Sequence, residues 1–380
     1  MLVGVVLAAL YLPAAAVHPP YHLDAASASF AAWSLAADGS LVLDGFVDEA
    51  TRPWFVSVDG HVLTNRQPGV IAHGLPASWL WAQTVGTFSM APTVWTAALV
   101  TATAMAIVHV SLRRLTTGSL AVAGALILGL ATSTWSVSAV QLWPHGIGQF
   151  WLAAALLALG SAKYTAAGLS YAVAVFTRPP LAIAAAVNGL AASWHERSLR
   201  PAVRLGVAAS FGVAALLTYN YFVFGGASIT GGYSDAFLRP KTGGVGPETV
   251  WYLQQVAWTL VSDRGLLVWS PFLLVLLPGM PIAWRSSPAW VRSAALAGVV
   301  YLLVHLWLNR YSGGSGFFGY RYPLEPLVLW TPLLLQAWEA RIRPDRARRC
   351  LFAVAVAVSV AFHLYGAYVY RAHLASSVGG

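Results

Sequence analysis

The chain alternates between long apolar stretches and short polar segments, and this pattern predicts a protein that crosses a membrane many times. A helix needs about 20 residues to cross a bilayer, because it rises ~1.5 Å per residue. We predict an all-α polytopic membrane protein with about eleven transmembrane helices. The predicted spans are residues 1–17, 93–111, 118–138, 148–161, 164–177, 180–194, 203–224, 264–284, 289–308, 323–338 and 350–370.

Composition supports this interpretation, because 58% of the residues are hydrophobic, 9% are charged and the mean hydropathy is +0.66. A soluble protein of 380 residues has no interior large enough to bury so much apolar surface. We therefore expect residues 1–380 to form a single transmembrane domain, with no separate soluble domain. The predicted location is the plasma or inner membrane of the cell.

Three predicted loops face the outer side of the membrane, at about residues 18–92, 225–262 and 309–322. In the first loop, polar and apolar residues of 24–38 separate onto two helix faces, which is typical of a helix that lies in the membrane interface. Asp59-Gly60, set between alternating residues, predicts a β-hairpin. Pro68-Gly69 then begins a second short apolar helix.

The net charge of +9 is distributed unevenly between the two sides of the membrane. Loops rich in Lys and Arg face the cytoplasm. Here these loops hold 13 of the 22 basic residues and 3 of the 13 acidic residues. The high isoelectric point therefore follows from topology and indicates no nucleic-acid partner. The carboxylates that are available for catalysis face away from the cytoplasm.

Asp24 follows the first predicted span directly and begins the interfacial helix. A carboxylate in that position can act as a general base on a hydroxyl group at the bilayer surface. Aspartate before a helix is also a favoured N-cap, and one residue can serve both roles. If Asp24 is not the base, Asp44 or Asp48 is the next candidate.

Arginines at the outer ends of the spans are candidates for binding a phosphate. Arg321 lies in the segment GYRYPLEP, where it would otherwise pair with Glu325 or reach lipid headgroups. Arg178 precedes two prolines between short apolar segments, so it requires a partner or an anion unless it extends to the interface. Arg264 follows Asp263 and would otherwise be an interfacial anchor.

Further polar and aromatic residues of the outer side are candidates for substrate binding: His61, Arg66, His145, Asp44, Tyr320, Tyr322 and Glu325. Histidine together with a carboxylate can bind a divalent cation, but no metal-binding spacing is present. We assign no cofactor and leave a divalent cation open. No glycine-rich phosphate loop or nucleophile elbow supports nucleotide hydrolysis or serine-hydrolase chemistry.

Several segments, taken in their order, resemble the GT-C superfamily of integral-membrane glycosyltransferases, in particular the bacterial branch similar to protein mannosyltransferases and aminoarabinose transferases. These segments are DAASASFAAWSLAADGSLVLDGF, DGHVLTNRQPGV, LWPHGIGQF, SDRGLLVWSPFLLVLLPG and GGSGFFGYRYPLEPLVLWTPLL. The resemblance implies inverting transfer of a sugar from a polyprenyl-phosphate-linked donor to a glycan, lipid or protein outside the cytoplasm. It further implies that Asp24 is the base and that Arg321 engages the donor phosphate. We expect Arg264 or Arg178 to lie near that phosphate as well.

Three other functions fit parts of the same pattern. A transporter or flippase for lipid-linked sugars would share the hydrophobicity and the basic inner side, although transporters usually carry ionisable residues in mid-span and these spans are nearly free of charge. An acyl- or phospho-group transferase would use the same loops, but no His–Asp or metal arrangement supports it. A non-catalytic scaffold of a membrane complex is the remaining alternative.

Overall fold

The computed structural model describes residues 2–17, 22–46, 54–233, 249–309 and 316–370, and these residues are mainly helical. The helices of the first half are α1 (Leu2–Ala16), α2 (Leu23–Asp38), α3 (Pro68–Thr84), α4 (Ala91–Leu112), α5 (Gly118–Leu130), α6 (Pro144–Leu159), α7 (Tyr164–Thr177), α8 (Leu181–Glu196) and α9 (Arg200–Phe224). The second half contains α10 (Thr249–Val261), α11 (Leu266–Trp269), α12 (Phe272–Leu276), α13 (Met280–Ser286), α14 (Ala289–Leu308), α15 (Leu324–Ala337) and α16 (Arg346–Leu364).

Among the described residues, four helical stretches are long and apolar enough to cross a membrane: α4, α9, α14 and the stretch Arg346–Tyr370. A fifth crossing results if Tyr252–Trp269 and Phe272–Ser286 form one span that is bent by 92°. The shorter apolar helices include α1, α5, α6 and α7. The helical, multi-pass architecture is confirmed, and the count of about eleven crossings stays a prediction.

The predicted hairpin is confirmed at the place that the sequence indicates. Strands β1 (Phe55–Val58) and β2 (His61–Thr64) pair antiparallel. Asp59 and Gly60 connect them with φ values of 51° and 83°. A two-residue turn with both φ values positive matches the twist of the strands, which is why an Asp-Gly pair predicts it.

Helix α2 differs from the predicted surface helix, because the protein itself encloses most of it. It packs along α3, and even Trp33, assigned to its apolar face, is buried. The alanines and serines of α2 are the physical reason, since small side chains allow neighbouring helices to approach closely. The charged end of this helix therefore faces the protein interior.

Two predicted spans are interrupted. The span 264–284 is broken between α11 and α12, because Pro271 provides no N–H and Ser270 before it has a non-helical backbone (φ −133°, ψ 62°), and it continues through α12 and α13. The span 118–138 ends as α5 at Leu130, and Thr134–Ser138 forms a separate π-helical turn. Both interruptions contact the loop before α15, which carries Arg321.

Candidate active site

Asp24 lies in the first turn of α2 and accepts hydrogen bonds from two arginines that are distant in sequence. Its Oδ1 accepts from Arg66, and its Oδ2 accepts from Arg321 at 2.8 Å. The three side chains are 10%, 6% and 14% exposed respectively. We call Asp24, Arg66 and Arg321 the Asp24 cluster. One carboxylate shared by two guanidinium groups leaves a formal charge of +1 at this place.

Asp24 is not the N-cap that its position suggested. Helix α2 begins at Leu23, and the ring of His22 supplies the cap, with Nδ1 accepting from the N–H of Asp24 at 3.2 Å. Burial lowers the pKa of His22, which keeps the ring neutral near neutral pH so that Nδ1 can accept. The Asp24 carboxylate is thereby left to the two arginines.

The turn after β2 positions Arg66. The N–H of Arg66 donates to Thr64 Oγ1 at 3.1 Å, which fixes the backbone at the end of the hairpin. Its Nε and Nη2 atoms donate to Asn65 Oδ1 at 3.2 and 2.8 Å. The ring of Tyr233 covers the guanidinium, 5.2 Å from its centre. The arginine is therefore fixed on three sides before it meets Asp24.

The loop that carries Arg321 is tied to the two interruptions described above. Tyr320 donates its N–H to Ser133 Oγ at 3.1 Å, and its hydroxyl is 2.6 Å from Ser270 Oγ. Gly319 has φ +96°, and a Cβ there would lie 2.4 Å from Ser133 Oγ. Only glycine fits this close approach. The buried hydrogen bonds of the preceding residue, Tyr320, consequently fix the backbone from which the Arg321 side chain extends.

Aromatic rings surround the Arg321 guanidinium. Its central carbon lies 5.4 Å from the ring centre of Trp143, 5.3 Å from that of Phe317 and 5.2 Å from that of Tyr322. Such faces attract a cation and exclude water from it. Electrostatic interactions are stronger in this setting than in bulk water, so an anion that reaches Arg321 is bound more firmly.

The protonation of Asp24 follows from these neighbours. Burial alone would raise the pKa of the Asp24 carboxyl, but the guanidinium groups of Arg66 and Arg321 outweigh it and hold the pKa well below its usual range. Asp24 is therefore ionised throughout the physiological pH range.

A second buried group of charges lies next to the first. Glu325, in the first turn of α15, accepts at Oε1 from His145 Nδ1 and from Arg178 Nε, both at 3.0 Å. Arg178 also contacts the Tyr301 hydroxyl at 2.7 Å and His305 Nε2 at 3.0 Å. We call these five residues the Glu325 cluster. The Glu325 side chain is 0% exposed.

Arg178 reaches this cluster because two prolines end α7. The residue before a proline avoids the helical region, and Arg178 accordingly has an extended backbone (φ −152°, ψ 94°). Each of its three guanidinium nitrogens has a protein partner, since Nη1 is 3.4 Å from His145 Nε2. A guanidinium only donates, so His145 accepts at Nε2 and its proton lies on Nδ1, facing Glu325.

The ring of Tyr322 contacts both clusters. Its centre is 5.2 Å from the Arg321 guanidinium carbon and 5.9 Å from that of Arg178, and it packs edge-on against His305. The suggested pairing of Arg321 with Glu325 is wrong, because Arg321 pairs with Asp24 and Glu325 pairs with Arg178. Each of these two ion pairs joins segments that are distant from each other in the chain.

Three predicted site residues lie apart from both clusters in the described contacts. His61 and Asp44 bond to each other at 2.8 Å, with 58% and 47% of their side chains exposed. The second Asp44 oxygen accepts from the N–H of Val62, which attaches this segment to the hairpin. Arg264 is half-exposed and 3.8 Å from Asp263. Asp48 and much of the loops 225–262 and 309–322 lie outside the described residues.

The residues of the site that were not anticipated include His22, Asn65, Tyr301 and His305. His305 had a usable signal, because a histidine within an apolar helix is uncommon and requires a partner. Tyr301 is four residues before it and stacks on its ring, as this helical spacing allows. The pattern around His22 and Asn65 gives no comparable signal.

The described residues contain no group of three His, Cys, Asp or Glu side chains placed to bind a metal ion. The carboxylate that would be the natural ligand, Asp24, is bonded to two guanidinium groups. Their positive charge opposes the approach of a divalent cation. The residues present therefore do not fit a metal at this place.

The fold is similar to those of two solved membrane glycosyltransferases, in agreement with the resemblance noted in the sequence. The chain is similar to ArnT from Cupriavidus metallidurans, in a structure bound to undecaprenyl phosphate, with a TM-score of 0.62 and 13% identity over 98% of this chain and 76% of that one. It is also similar to the oligosaccharyltransferase of Archaeoglobus fulgidus, with a TM-score of 0.52 and 12% identity over 98% of this chain and 55% of that one.

That oligosaccharyltransferase, AglB, is also known in complex with an inhibitory peptide and a dolichol-phosphate. No protein-family model and no curated protein matches the chain by sequence. At such low identities the likeness shows the fold, and the chemistry has to be argued from the residues of this chain.

Proposed function

We propose that this protein is a glycosyltransferase that moves a sugar from a polyprenyl-phosphate-linked donor to an acceptor outside the cytoplasm. Two observations support the proposal: the fold is one used by membrane glycosyltransferases, and the Asp24 cluster combines a carboxylate with an excess of positive charge. The acceptor class is a cell-envelope glycan, lipid or protein, and the sugar is a hexose or a pentose.

The observation that carries the proposal is the charge of the Asp24 cluster. A phosphodiester between a lipid and a sugar carries one negative charge, which matches the excess of the two guanidinium groups over the one carboxylate. Planar guanidinium groups also match the geometry of phosphate oxygens. The likeness to structures that contain undecaprenyl phosphate or dolichol-phosphate agrees with this chemistry.

A carboxylate that accepts from two arginines is a weak base. The hydrogen bonds from the arginines to Asp24 therefore have to weaken before Asp24 can accept a proton. The donor phosphate competes with Asp24 for the Arg321 guanidinium, because both are anions. When the guanidinium turns toward phosphate, the pKa of Asp24 rises toward its usual value and the carboxylate becomes a better proton acceptor. Donor binding and base activation are linked through one side chain.

The proposed reaction is a single displacement. The acceptor hydroxyl gives its proton to Asp24 while its oxygen forms a bond to the anomeric carbon of the sugar. The bond between that carbon and the phosphate oxygen breaks, and the electron pair leaves with the lipid phosphate. Arg321 and Arg66 stabilise the charge that develops on it. Attack opposite the leaving group inverts the anomeric configuration.

The other candidate residues have supporting roles in this proposal. Tyr322 forms one wall of the Arg321 pocket, and Tyr320 holds the loop in place. The Glu325 cluster, including Arg178 and His145, supports Tyr322 from behind. Arg264 would contact the donor only at the solvent-exposed edge of the site, and His61 and Asp44 would contact the acceptor.

The membrane arrangement is part of the proposal. We infer about eleven crossings in the plasma or inner membrane, one catalytic transmembrane domain, and an active site on the extracytoplasmic side. Asp24 and Arg66 belong to the first predicted outer loop and Arg321 to the third, and the three side chains meet in one place. An arrangement with those segments on different sides could not bring them together.

Transport of a lipid-linked sugar is the second candidate, and one observation favours it. The Glu325 cluster places ionisable side chains among apolar helices, which is common in transporters. Its charges are balanced within the protein, whereas a substrate pathway needs groups that change partners. We therefore favour transfer.

The test is transfer by the purified protein in liposomes, with a synthetic polyprenyl-phosphate sugar and envelope extracts as acceptor. We expect Asp24→Asn to lower turnover about 10²–10⁴-fold, the usual contribution of a general base. The matched control is Asp38→Asn, an exposed aspartate at the other end of α2, which should keep turnover. Full activity of Asp24→Asn would assign the base elsewhere.

The same variants are compared in a deletion strain by envelope glycan composition. If wild type and Asp38→Asn restore a missing linkage and Asp24→Asn does not, that linkage identifies donor and acceptor. Donor movement across the liposome membrane without transfer would replace this proposal with transport. Unchanged glycans together with no transfer would favour a scaffold.

A further inference from the structure

A cavity of about 240 Å³ lies between α5, α12, α15 and α16. Its walls are mostly aliphatic and aromatic and include Leu120, Ile127, Leu276, Leu334 and Phe352. Among the described residues that line it, Arg349 carries the only charge. Apolar cavities smaller than this one stay dry and accept apolar ligands, so hydrocarbon is the natural occupant.

Helix α16 forms one wall of this cavity and continues toward the loop that carries Arg321. Arg349 lies in its first turn, and His363, fourteen residues later, contacts Ser136 and Ser270 beside the loop of Arg321. At ~1.5 Å per residue the two ends are roughly 21 Å apart. The Arg349 end of the cavity therefore lies far from the loop of Arg321, while its other end reaches Leu327, two residues after Glu325.

The rim of the cavity is basic. Between residues 341 and 349 the chain has five arginines and one acidic residue. Arg343 pairs with Glu339 and Arg348 with Asp345, which leaves positive charge in excess. Arg349 donates to the carbonyl oxygen of Arg343 at 3.0 Å, which holds its side chain at the rim. Basic rims beside gaps between membrane helices attract anionic headgroups.

We propose that this cavity binds one acyl chain of an anionic phospholipid, with the phosphate of the lipid held by Arg349. The shape and the charge fit the same molecule, since a phospholipid places hydrocarbon inside the protein and an anion at the membrane surface. A polyprenyl chain whose phosphate lies near Arg321 would present only hydrocarbon at this end and would leave Arg349 without a counterpart. The proposal is independent of glycosyl transfer.

The experiment is native mass spectrometry of the purified protein with phosphatidylglycerol and with phosphatidylcholine of identical chains. We expect wild type to retain phosphatidylglycerol preferentially. Arg349→Gln should weaken that binding about fivefold, the effect of one arginine at a membrane surface. The matched control is Arg204→Gln, which removes an exposed arginine of α9 on the predicted cytoplasmic side, outside this rim and its cavity, and should change binding less than about twofold.

A second pair of variants tests the cavity itself. Ala353→Phe fills it and should abolish retention of both lipids, whereas Val354→Phe alters the neighbouring residue, 61% exposed and not part of the lining, and should not. Thermal unfolding verifies that each variant is folded. If Ala353→Phe is unstable, Ala123→Leu fills the opposite wall with a smaller change.

Three outcomes would overturn the proposal. Equal losses in Arg349→Gln and Arg204→Gln would indicate general attraction to the basic side of the protein. Unchanged retention after the cavity is filled would place the lipid elsewhere. Displacement of phosphatidylglycerol by added polyprenyl phosphate, sensitive to Ala353→Phe, would assign the cavity to the chain of that lipid.

Discussion

The Asp24 cluster and the Glu325 cluster both contact the Tyr322 ring, and each joins arginine to a buried carboxylate. The two clusters differ in net charge and in the solvent exposure of their side chains. In the first, one carboxylate serves two arginines and the side chains are 6–14% exposed. In the second, Glu325 balances Arg178, and the other contacts of the arginine are a tyrosine hydroxyl and two histidine nitrogens.

This difference separates a place for chemistry from a place that maintains geometry. The excess charge and slight exposure of the Asp24 cluster suit a phosphate that arrives and leaves. The charges of Glu325 and Arg178 balance each other within the protein, and rearranging them would expose a charge to an apolar interior. Arg178 is therefore better placed to support Tyr322 than to bind the donor.

The largest effect is expected from Glu325→Gln, which leaves the Arg178 charge buried without its counter-ion. Removing one partner of a buried pair costs about 3–5 kcal/mol of stability. We expect a marked fall in thermal stability in detergent, with the donor KM of the remaining folded protein nearly unchanged. Glu196→Gln, at an exposed glutamate, is the control. A large change in donor KM without loss of stability would place Glu325 at the substrate.

Arg321→Gln should have the opposite profile. It removes a donor from the proposed leaving group and should lower kcat/KM about 10²–10³-fold, as loss of one such donor usually does. Stability should change less than in Glu325→Gln, since Asp24 keeps Arg66. Arg321→Lys keeps the charge without the planar fork and should restore part of the activity. Arg264→Gln is the control at a half-exposed arginine, and equal loss there would contradict the comparison.

The pH dependence of kcat/KM gives a smaller but direct test. The folded pKa of Asp24 lies below its unfolded value of about 4, so its ion pairs stabilise the protein above that pH and lose their effect as the pH falls below it. We expect kcat/KM to show no acid limb from Asp24 above about pH 5. The pH profile of kcat reports the enzyme with the donor bound, and there the acid limb from Asp24 should lie at a higher pH.

An acid limb in kcat/KM near about pH 6 would have to come from another group. His22, the cap of α2, is the neighbouring group to test, and His22→Asn retains a hydrogen-bond acceptor at that position. A limb that persists in His22→Asn would contradict the low pKa of Asp24.

The smallest effect is expected from Asp44→Asn. Hydrogen bonds from His61 and from the N–H of Val62 hold the pKa of Asp44 below its usual value, but the pair is half-exposed and lies apart from both clusters. We expect turnover to stay within about twofold of wild type, as for most surface substitutions. A loss comparable to that of Asp24→Asn would make Asp44 the base.

Local patterns along the chain predict much of this fold. Asp59-Gly60 indicated the hairpin, and Arg178-Pro179-Pro180 indicated the interruption between α7 and α8. Ser270-Pro271 carried the same kind of signal, but the long apolar window around it favoured a continuous span. The average hydropathy of a window reports composition, and it does not detect that one residue, Pro271, lacks a backbone N–H.

The pairing of the charged residues was less predictable. The family resemblance suggested Asp24 and Arg321 as members of one site, although they are 297 residues apart. It did not identify Arg66 as the second partner of Asp24, nor the pairing of Glu325 with Arg178. Such pairs depend on how helices pack against one another, and sequence spacing does not specify that geometry.

The separation of Asp24 and Arg321 also has a consequence for the biosynthesis of the protein. A ribosome adds about 5–20 residues per second, so roughly 15–60 s pass between the synthesis of the two residues. Arg66 follows Asp24 by 42 residues and can neutralise it early. The second bond waits until nearly the whole chain has been made. A nascent protein in the membrane thus holds a shielded aspartate for most of its synthesis, and the pocket for a phosphate is completed late.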